Sequence, residues 1–150
     1  MNDSEQFLPL KGQAQFLVDG WASNSKAGFG GILKDKDRHI RIMFSGPTDQ
    51  LGVEYAELMA IVTGLEIFIE AIWINKTNLI VQSDSLVILS WISDISLRPW
   101  KWWKIFRKLD DMILKINYVR FNHIPRRKNR MADFLATEGK QRATLFKAWW

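Results

Sequence analysis

The chain has 150 residues, of which 47% are hydrophobic and 13% aromatic, and this is enough to build one domain with a substantial core. It has no cysteine and only two histidines, which excludes disulfides and thiolate metal sites and argues against a histidine-based zinc site. The formal net charge of +5 favours a polyanionic partner such as nucleic acid.

The first part of the chain predicts three strands followed by one helix. Residues 1–13 are an N-terminal extension, and residues 14–20 predict a strand that is apolar on both faces, as in the centre of a covered sheet. Residues 27–35 and 39–46 predict two more strands joined by a tight turn, so the three strands form an antiparallel meander. A long amphipathic helix is predicted from about Glu54 to Ala71.

The rest of the chain alternates single strands with helices. The predicted elements are a strand at 77–83, a helix from about Ser85, a Pro-led helix from Pro99 to about Lys115, a strand at 117–123 and a helix from about Asn129 to Glu138. Residues 14–139 then form one domain with the order βββαβααβα, and residues 140–150 form a tail. This order predicts an α/β three-layer fold in which helices flank a mixed five-stranded sheet, with three antiparallel strands followed by parallel strands.

Four carboxylates lie at the ends of predicted elements or on a helix flank: Asp19, Glu57, Asp84 and Asp133. Asp19 and Asp84 each directly follow an apolar strand run, and such a charge must be solvated, paired or bound to metal. If the two strands are adjacent and parallel, both acids lie at the same sheet edge. Glu57 flanks the apolar face of its helix and can reach over that edge, while Asp133 can approach from the other side. Their mutual repulsion would be strongly destabilising without cations.

The chemistry that such a cluster predicts is hydrolysis of a phosphodiester. Without cysteine, and with few histidines, any bound metal must be a hard cation with oxygen ligands, such as Mg²⁺ or Mn²⁺. Two such ions serve in-line displacement, in which one activates water and the other stabilises the leaving oxygen. Each acid taken alone could instead be a helix cap, a solvated strand end or a salt-bridge partner. The occurrence of all four in these contexts favours the metal site.

The motifs around these acids resemble those of type 1 ribonuclease H domains, in the family's order, from about Ala14 to Glu138. They read F-L-V-D-G followed by G-F-G-G-I-L, then A-E-L-M-A-I, Q-S-D-S-L-V-I and N-R-M-A-D-F-L-A. The ending H-I-P-R-R-K-N-R-M-A-D resembles a variant common in plant genomes, in LINE-type retroelements and in stand-alone domains derived from them. The resemblance implies a ribonuclease H-like fold and cleavage of the RNA strand of an RNA/DNA hybrid. It also implies two Mg²⁺ ions, with Mn²⁺ as a substitute, held by the four carboxylates.

Two departures from the family pattern bear on activity. Many members carry Asn residues just before the helix glutamate that read the minor groove of the hybrid, whereas Gly-Val-Glu occupies positions 52–54 here. Many members also carry a mobile His in the loop before the last aspartate. That loop reads P-R-R-K-N here, so Arg126 or Arg127 is expected to substitute electrostatically. We interpret His123 as a strand-end histidine outside the catalytic set.

A basic and aromatic surface is predicted on the helix from Pro99. Lysines recur opposite its apolar face, and two tryptophans lie outside that face, where they could stack on bases or sugars while the lysines hold phosphates. The alternative is a solvated lysine face with tryptophans that cover the neighbouring helix. Capping of the next helix is the favoured role of Ser85, and Asn129 is either an N-cap or a group behind the metal ligands. The residues predicted to contact nucleic acid are Ser23, Ser85, Trp100, Lys101, Trp103, Lys104, Lys108, Arg126, Arg127 and Asn129.

Three functions compete on the sequence. The leading hypothesis is an endoribonuclease that hydrolyses RNA/DNA hybrids, acting as a monomer or as one domain of a polyprotein. Its rival is a weak or inactive ribonuclease H-like domain that binds nucleic acid or a partner. A DEDD-type exonuclease is disfavoured because it needs Asp-x-Glu on the first strand, where this chain has Asp-Gly-Trp. The chain start lacks an apolar signal segment, and later apolar stretches are broken by Glu66, Glu70 and Asn75, so we expect an intracellular protein without a membrane contact.

Overall fold

The computed structural model describes residues 13–71, 77–116 and 118–150 of the chain. The strands in these ranges are β1 (Gln13–Ala22), β2 (Ala27–Lys34), β3 (Ile40–Pro47), β4 (Asn78–Ser83), β5 (Val119–His123) and β6 (Phe146–Trp149). The α-helices are α1 (Val53–Glu70), α2 (Leu86–Ser93), α3 (Trp103–Lys115) and α4 (Arg130–Gly139). Short 3₁₀ turns occupy Ile95–Leu97, Trp100–Trp102 and Arg126–Lys128.

The six strands form one mixed sheet in the order β5-β4-β1-β2-β3-β6. β1, β2 and β3 pair antiparallel, whereas β4 runs parallel to β1 and β5 runs parallel to β4. The predicted α/β fold, with an antiparallel meander followed by parallel strands, is confirmed. Because β1 and β4 are adjacent and parallel, their carboxyl ends meet at one edge of the sheet.

The sixth strand was not expected from the sequence. Part of the predicted tail forms β6, which pairs antiparallel with β3 from Ser45 opposite Phe146 to Ile42 opposite Trp149. Its backbone therefore docks on the sheet, while Trp149 and Trp150 keep more than half of their surface exposed. This pairing gives the four-residue segment its strand conformation, and a strand this short has too little local pattern to be predicted.

Element boundaries differ from the predictions by small shifts. The first helix spans Val53–Glu70, one residue earlier at each end than predicted. The predicted Pro-led helix divides into the 3₁₀ turn Trp100–Trp102 and α3. β5 begins at Val119. The predicted start of that strand at residue 117, and residues 1–12 of the predicted extension, lie outside the described residues.

Helices cover both faces of the sheet and enclose two apolar clusters. On one face Phe16, Phe44 and Phe68 are fully buried in the larger cluster, which also contains the apolar side of α3. On the other face Leu17 and Leu135 belong to a smaller cluster beneath α4. Burying each such side chain stabilises the fold by roughly 1.5–3 kcal/mol. Of the helices in the described ranges, none is both long and apolar enough to span a bilayer.

Candidate active site

Three carboxylates converge at the carboxyl edge of β1 and β4. Asp19, Glu57 and Asp84 each offer one oxygen atom, and these oxygens all lie within 4.8 Å of one another. Leu17 pairs with Gln82 across the parallel strands, so Asp19, near the carboxyl end of β1, and Asp84, just after β4, lie at the same level. The convergence predicted from the ends of the two strands is present in the structure.

Gly20 determines how closely α1, and with it Glu57, approaches β1. A Cβ atom at Gly20 would lie 2.3 Å from the backbone nitrogen of Glu57 and 2.5 Å from the carbonyl carbon of Ala56. Such distances are far shorter than a van der Waals contact, so any side chain here would push the helix away. The glycine after Asp19 therefore sets the distance between two of the three converging acids.

Asp133 joins the cluster from the opposite face of the sheet. It lies in the first turn of α4, and its carboxyl group is close enough to that of Asp19 to raise the pKa of Asp19. α4 reaches this position because β2 is glycine-rich: a Cβ at Gly30, which pairs with Asp19, would lie 2.6 Å from the Cβ of Leu135. Asp133 thus lies beside Asp19, whereas the oxygens within 4.8 Å of one another belong to Asp19, Glu57 and Asp84.

Burial and mutual repulsion raise the pKa values of two of these acids. Asp19 is 3% exposed, and burial, the Asp84 charge and the neighbouring Asp133 carboxyl raise its pKa from 3.8 to about 8. The backbone N–H of Gly20 donates to Asp19 Oδ1 at 2.9 Å and opposes this shift. Burial is also the main cause that raises the pKa of Glu57 to about 7, with a contribution from Asp84. The metal-free cluster therefore retains protons near neutral pH.

The donor set suits divalent metal ions. Asp19 Oδ2 and Asp84 Oδ2 are both buried and have no hydrogen-bond partner in the described structure. Buried carboxylate oxygens without partners are strongly unfavourable, and a cation between them would satisfy them. All of the converging ligand atoms are carboxylate oxygens, which Mg²⁺ and Mn²⁺ prefer. The carboxylate triad is thus a candidate divalent-metal site.

The segment between β5 and α4 is attached at both ends to the strands that carry the aspartates. The N–H of Ile124 donates to the carbonyl of Ser83, which precedes Asp84, at 3.0 Å. The Asn129 side chain donates to the carbonyl of Val18, which precedes Asp19, at 2.9 Å. The 3₁₀ turn Arg126–Lys128 is thereby held beside the acids with its cationic side chains exposed, and the charge of Arg126 lowers the pKa of Glu57.

Two predicted contact residues have structural roles. Asn129 is fully buried, which contradicts the prediction that it contacts nucleic acid; its amide instead fixes the start of α4 to β1. It makes no side-chain cap: its amide nitrogen donates to β1, and its Oδ1 has no hydrogen-bond partner in the described structure. The predicted cap at Ser85 is confirmed, since its Oγ accepts the N–H of Ile88 at 3.3 Å. Ser85 also hydrogen-bonds the Glu57 carboxylate and lowers its pKa.

The remaining predicted contacts lie on exposed surfaces. Ser23 is exposed in the turn after β1, where its Oγ accepts the N–H of Lys26 at 3.2 Å. Trp100 is 81% exposed and Trp103 is 42% exposed, and their rings stack with centroids 6.1 Å apart at 18°. The exposed side chains beside these tryptophans include Lys101, Lys104, Arg107 and Lys108.

The lysine surface of α3 is not uniformly available. Lys108 forms an ion pair with Glu66 of α1 at 3.0 Å, so part of its charge is neutralised within the protein. Lys101 lies over the ring of Trp102, and Lys104 lies near the ring of Trp103. The ring of Trp102 packs on Tyr55 in the first turn of α1, with centroids 5.4 Å apart. The surface formed by Trp100, Lys101, Trp103 and Lys104 thus begins beside the helix that carries Glu57.

Arg98, which the sequence did not single out, positions this surface. Arg98 donates to both oxygens of Asp110, at 2.7 and 3.0 Å, and to the carbonyl of Trp91 at 2.6 Å. It fixes the connection from α2 to α3 immediately before Trp100. An Arg directly before a Pro in a tight connection was the available signal, but its partners Trp91 and Asp110 lie on the two flanking helices, at no regular spacing from it.

The chain matches the sequence model of one protein family. The sequence model of the reverse transcriptase-like family matches residues 17–139, which include all four acids. Among curated protein sequences, none matches this chain significantly.

Solved ribonuclease H structures share the fold at low sequence identity. The LC11 ribonuclease H1 isolated from compost by a metagenomic approach matches with a TM-score of 0.78 at 22% identity, over 87% of this chain and 96% of that chain. The same enzyme in complex with an RNA/DNA hybrid matches with a TM-score of 0.77 at 22% identity, over 86% of this chain and 97% of that chain. The N-terminal ribonuclease H domain of rv2228c from Mycobacterium tuberculosis matches with a TM-score of 0.75 at 17% identity, over 86% of this chain and 94% of that chain. These likenesses show a ribonuclease H-like fold.

Proposed function

The chain belongs to the reverse transcriptase-like family and has a ribonuclease H-like fold, and on that premise we propose that it is an endoribonuclease acting on the RNA strand of RNA/DNA hybrids. The observation that carries this proposal is the convergence of Asp19, Glu57 and Asp84 within 4.8 Å. A domain without catalysis has no physical reason to retain buried carboxylates that repel one another. Relatives of the same fold have been solved with an RNA/DNA hybrid bound, which supports this substrate class.

The four acids would hold two Mg²⁺ ions, or Mn²⁺ in their place. When bound, the ions supply an activated water and charge stabilisation at the leaving oxygen. The protein's own contribution is to hold the carboxylates in place before the substrate arrives. The Gly20 N–H orients Asp19, the Ser85 hydroxyl orients Glu57, and the buried Asn129 amide fixes the helix that carries Asp133. Loss of the Asp133 carboxylate is expected to reduce activity.

Arg126 is the cation that we propose to assist at the scissile phosphate. It is exposed and lies in the 3₁₀ turn that is attached beside both strand-end aspartates. Its charge lowers the pKa of Glu57, whereas Arg127 is not among the groups that shift the pKa of Asp19 or Glu57. A guanidinium can donate two hydrogen bonds to a phosphate in a fixed geometry. We expect Arg126→Ala to lower kcat at least tenfold more than the matched variant Arg127→Ala, and equal losses would contradict this assignment.

The α3 surface would hold the hybrid outside the cluster. Trp100 and Trp103 present stacked aromatic rings, while Lys101 and Lys104 add positive charge beside them. Base or sugar stacking on such rings contributes about 1–3 kcal/mol per contact. Lys108 is expected to contribute less than its neighbours, because Glu66 already neutralises it.

One observation favours the rival function, a nucleic-acid-binding domain with little turnover. The residues before Glu57 that would face a minor groove are unsuited to reading it: Val53 is 41% exposed and apolar, and Glu54 is exposed and acidic. An apolar side chain cannot hydrogen-bond a 2′-hydroxyl, and an acidic one repels phosphate. This surface predicts weaker discrimination between a hybrid and double-stranded RNA than a groove-reading Asn pair would give.

The deciding experiment uses three labelled duplexes of one sequence: an RNA/DNA hybrid, double-stranded RNA and double-stranded DNA. Each is incubated with the domain in Mg²⁺ or Mn²⁺, alongside Asp84→Asn and Asp37→Asn. The first variant removes an acid of the cluster, and the second removes an exposed acid in the turn after β2. We expect cleavage of the RNA strand of the hybrid that Asp84→Asn abolishes and Asp37→Asn retains. Hybrid binding without cleavage in either metal would support the rival function.

A further inference from the structure

Trp21 lies two residues beyond Asp19 on β1, with its side chain on the same face of the strand. Two residues of strand place their Cα atoms roughly 6.7 Å apart. Trp21 pairs with Gly28 of β2, and that glycine leaves room for the chain just after α4: a Cβ there would lie 2.4 Å from the backbone nitrogen of Lys140. The ammonium of Lys140 lies 3.7 Å from the centroid of the Trp21 ring. A cation this close to an indole is held by a cation–π interaction.

α4 connects this pair to the acidic cluster. Asp133, Thr137 and Lys140 follow one another at helical spacing along one side of α4, and Thr137 Oγ1 donates to the carbonyl of Asp133 at 2.9 Å. Seven residues of helix span about 10 Å. Successive phosphates of one strand are about 3.4 Å apart along a duplex axis, so this distance corresponds to about three phosphates.

A second lysine extends the positive charge. The ammonium of Lys26, at the start of the strand after the β1–β2 turn, donates to the side-chain oxygen of Gln141 at 3.1 Å. Among residues 13–71, 77–116 and 118–150, neither Lys26 nor Lys140 forms an ion pair with an acid, in contrast to Lys108 and Lys147. Their charges are therefore available to an anion, and both lysines are held by neutral partners.

We propose that Trp21, Lys26 and Lys140 form a phosphate-binding strip for the nucleic-acid strand that crosses the acidic cluster. The strip leads away from the cluster along α4, on the face of the sheet opposite the one that packs against α1 and α3. Lys140 contacts a phosphate about three positions along the strand from the scissile one, Trp21 holds the ammonium in position, and Lys26 contacts the phosphate backbone further along. This assignment rests on the proposed function, because it requires that a nucleic-acid strand lies across the carboxylates.

The competing explanation is that the Trp21–Lys140 contact only fastens the end of α4 to β1. That role predicts a loss of stability in Trp21 and Lys140 variants with no specific change in nucleic-acid binding. The phosphate-binding role instead predicts a change in the salt dependence of binding, because each protein–phosphate contact releases counterions. Salt dependence therefore separates the two roles.

The test measures binding of a labelled RNA/DNA hybrid by fluorescence anisotropy in Mg²⁺ between 50 and 200 mM salt, with Asp84→Asn as the parent so that the substrate stays intact. The variants added to this parent are Lys140→Ala, Lys26→Ala with Lys140→Ala, Trp21→Ala and Trp21→Phe. Lys36→Ala is the matched control, since Lys36 is exposed in the β2–β3 turn at the opposite end of β1 from Asp19. Thermal unfolding of each variant reports stability separately.

We expect Lys140→Ala to weaken binding about three- to tenfold and to reduce the slope of log K against log salt by about one. The double lysine variant should reduce that slope by about two, and Lys36→Ala should leave it unchanged. Trp21→Ala should weaken binding, and Trp21→Phe should restore most of it because a ring remains beneath the ammonium. Slopes of the lysine variants equal to that of Lys36→Ala would overturn the strip alone. Absence of hybrid binding by the parent would overturn the proposed function together with it.

Discussion

Replacing Asp19 with Asn should stabilise the metal-free domain at alkaline pH while abolishing its activity. Asp19 is 3% exposed, and its pKa is raised from 3.8 to about 8 by burial, by the Asp84 charge and by Asp133. Between pH 3.8 and about pH 8, Asp19 is therefore ionised in the unfolded chain and protonated in the folded chain. The folded state then binds more protons than the unfolded state, so its free energy of unfolding falls as pH rises through this window.

The size of the effect follows from proton linkage. One group contributes at most about 1.4 kcal/mol per pH unit, so Asp19 alone accounts for roughly 2–3 kcal/mol between pH 5 and pH 7. Asn keeps the size of the side chain but removes its charge and its titration. Between pH 5 and pH 7 we therefore expect the free energy of unfolding of the wild type to fall by roughly 2–3 kcal/mol more than that of Asp19→Asn, which corresponds to about 5–10 °C in Tm.

The assay is urea and thermal unfolding in a chelator at pH 5, 6, 7 and 8, with Asp37→Asn as the control for loss of an exposed acid. The wild type and the control should lose stability steeply as pH rises, and Asp19→Asn should lose clearly less. Glu57, with its pKa raised to about 7, keeps part of the pH dependence in the variant. Adding Mg²⁺ at pH 8 should stabilise the wild type and not Asp19→Asn. Parallel pH curves for wild type and Asp19→Asn would refute the described electrostatics of the cluster.

Three further variants test separate parts of the structure. Reversing the charges of Lys101 and Lys104 to Glu should weaken hybrid binding and reduce its salt slope by about two, measured by anisotropy, and an unchanged slope would remove α3 from the binding surface. Gly20→Ala places a methyl group where only 2.3 Å separates it from the Glu57 backbone. It should therefore lower stability by roughly 2–4 kcal/mol in urea unfolding and reduce activity further than that loss explains. Asn129→Leu should destabilise by about 1–3 kcal/mol in the same assay, because it removes a buried hydrogen bond, and a neutral effect would contradict its positioning role.

The carboxylates could be found from the sequence because each has a local signal. Asp19 and Asp84 end apolar strand runs, and a charge in that position marks the edge of a sheet. Glu57 was distinguished from Glu66 and Glu70 by its place on the flank of a helical apolar face. Asp133 had the weakest local signal, and its membership of the cluster rested chiefly on the family resemblance. The structure brings Asp19, Glu57 and Asp84 within 4.8 Å of one another and places Asp133 beside Asp19.

Features that depend on contacts between distant segments could not be predicted. Asn is a residue type that often caps helices at the surface, but the amide of Asn129 is buried and donates to the carbonyl of Val18. Lys108 belongs to an apparent basic stripe, but Glu66 of another helix neutralises it. Residues Phe146–Trp149 form β6 because they pair with β3, which is far away in the sequence. In each case tertiary context determined the role of a residue whose local pattern was ambiguous.

The most direct test of the central claim is single-turnover cleavage of a hybrid labelled on its RNA strand, measured over a Mg²⁺ titration for the wild type and Asp84→Asn. The proposed site predicts that cleavage of the RNA strand rises with Mg²⁺, disappears with a chelator and is lost in Asp84→Asn while hybrid binding persists. Cleavage that is independent of Mg²⁺, or that Asp84→Asn leaves at the wild-type rate, would contradict the assignment of the converging carboxylates as a metal-dependent ribonuclease site.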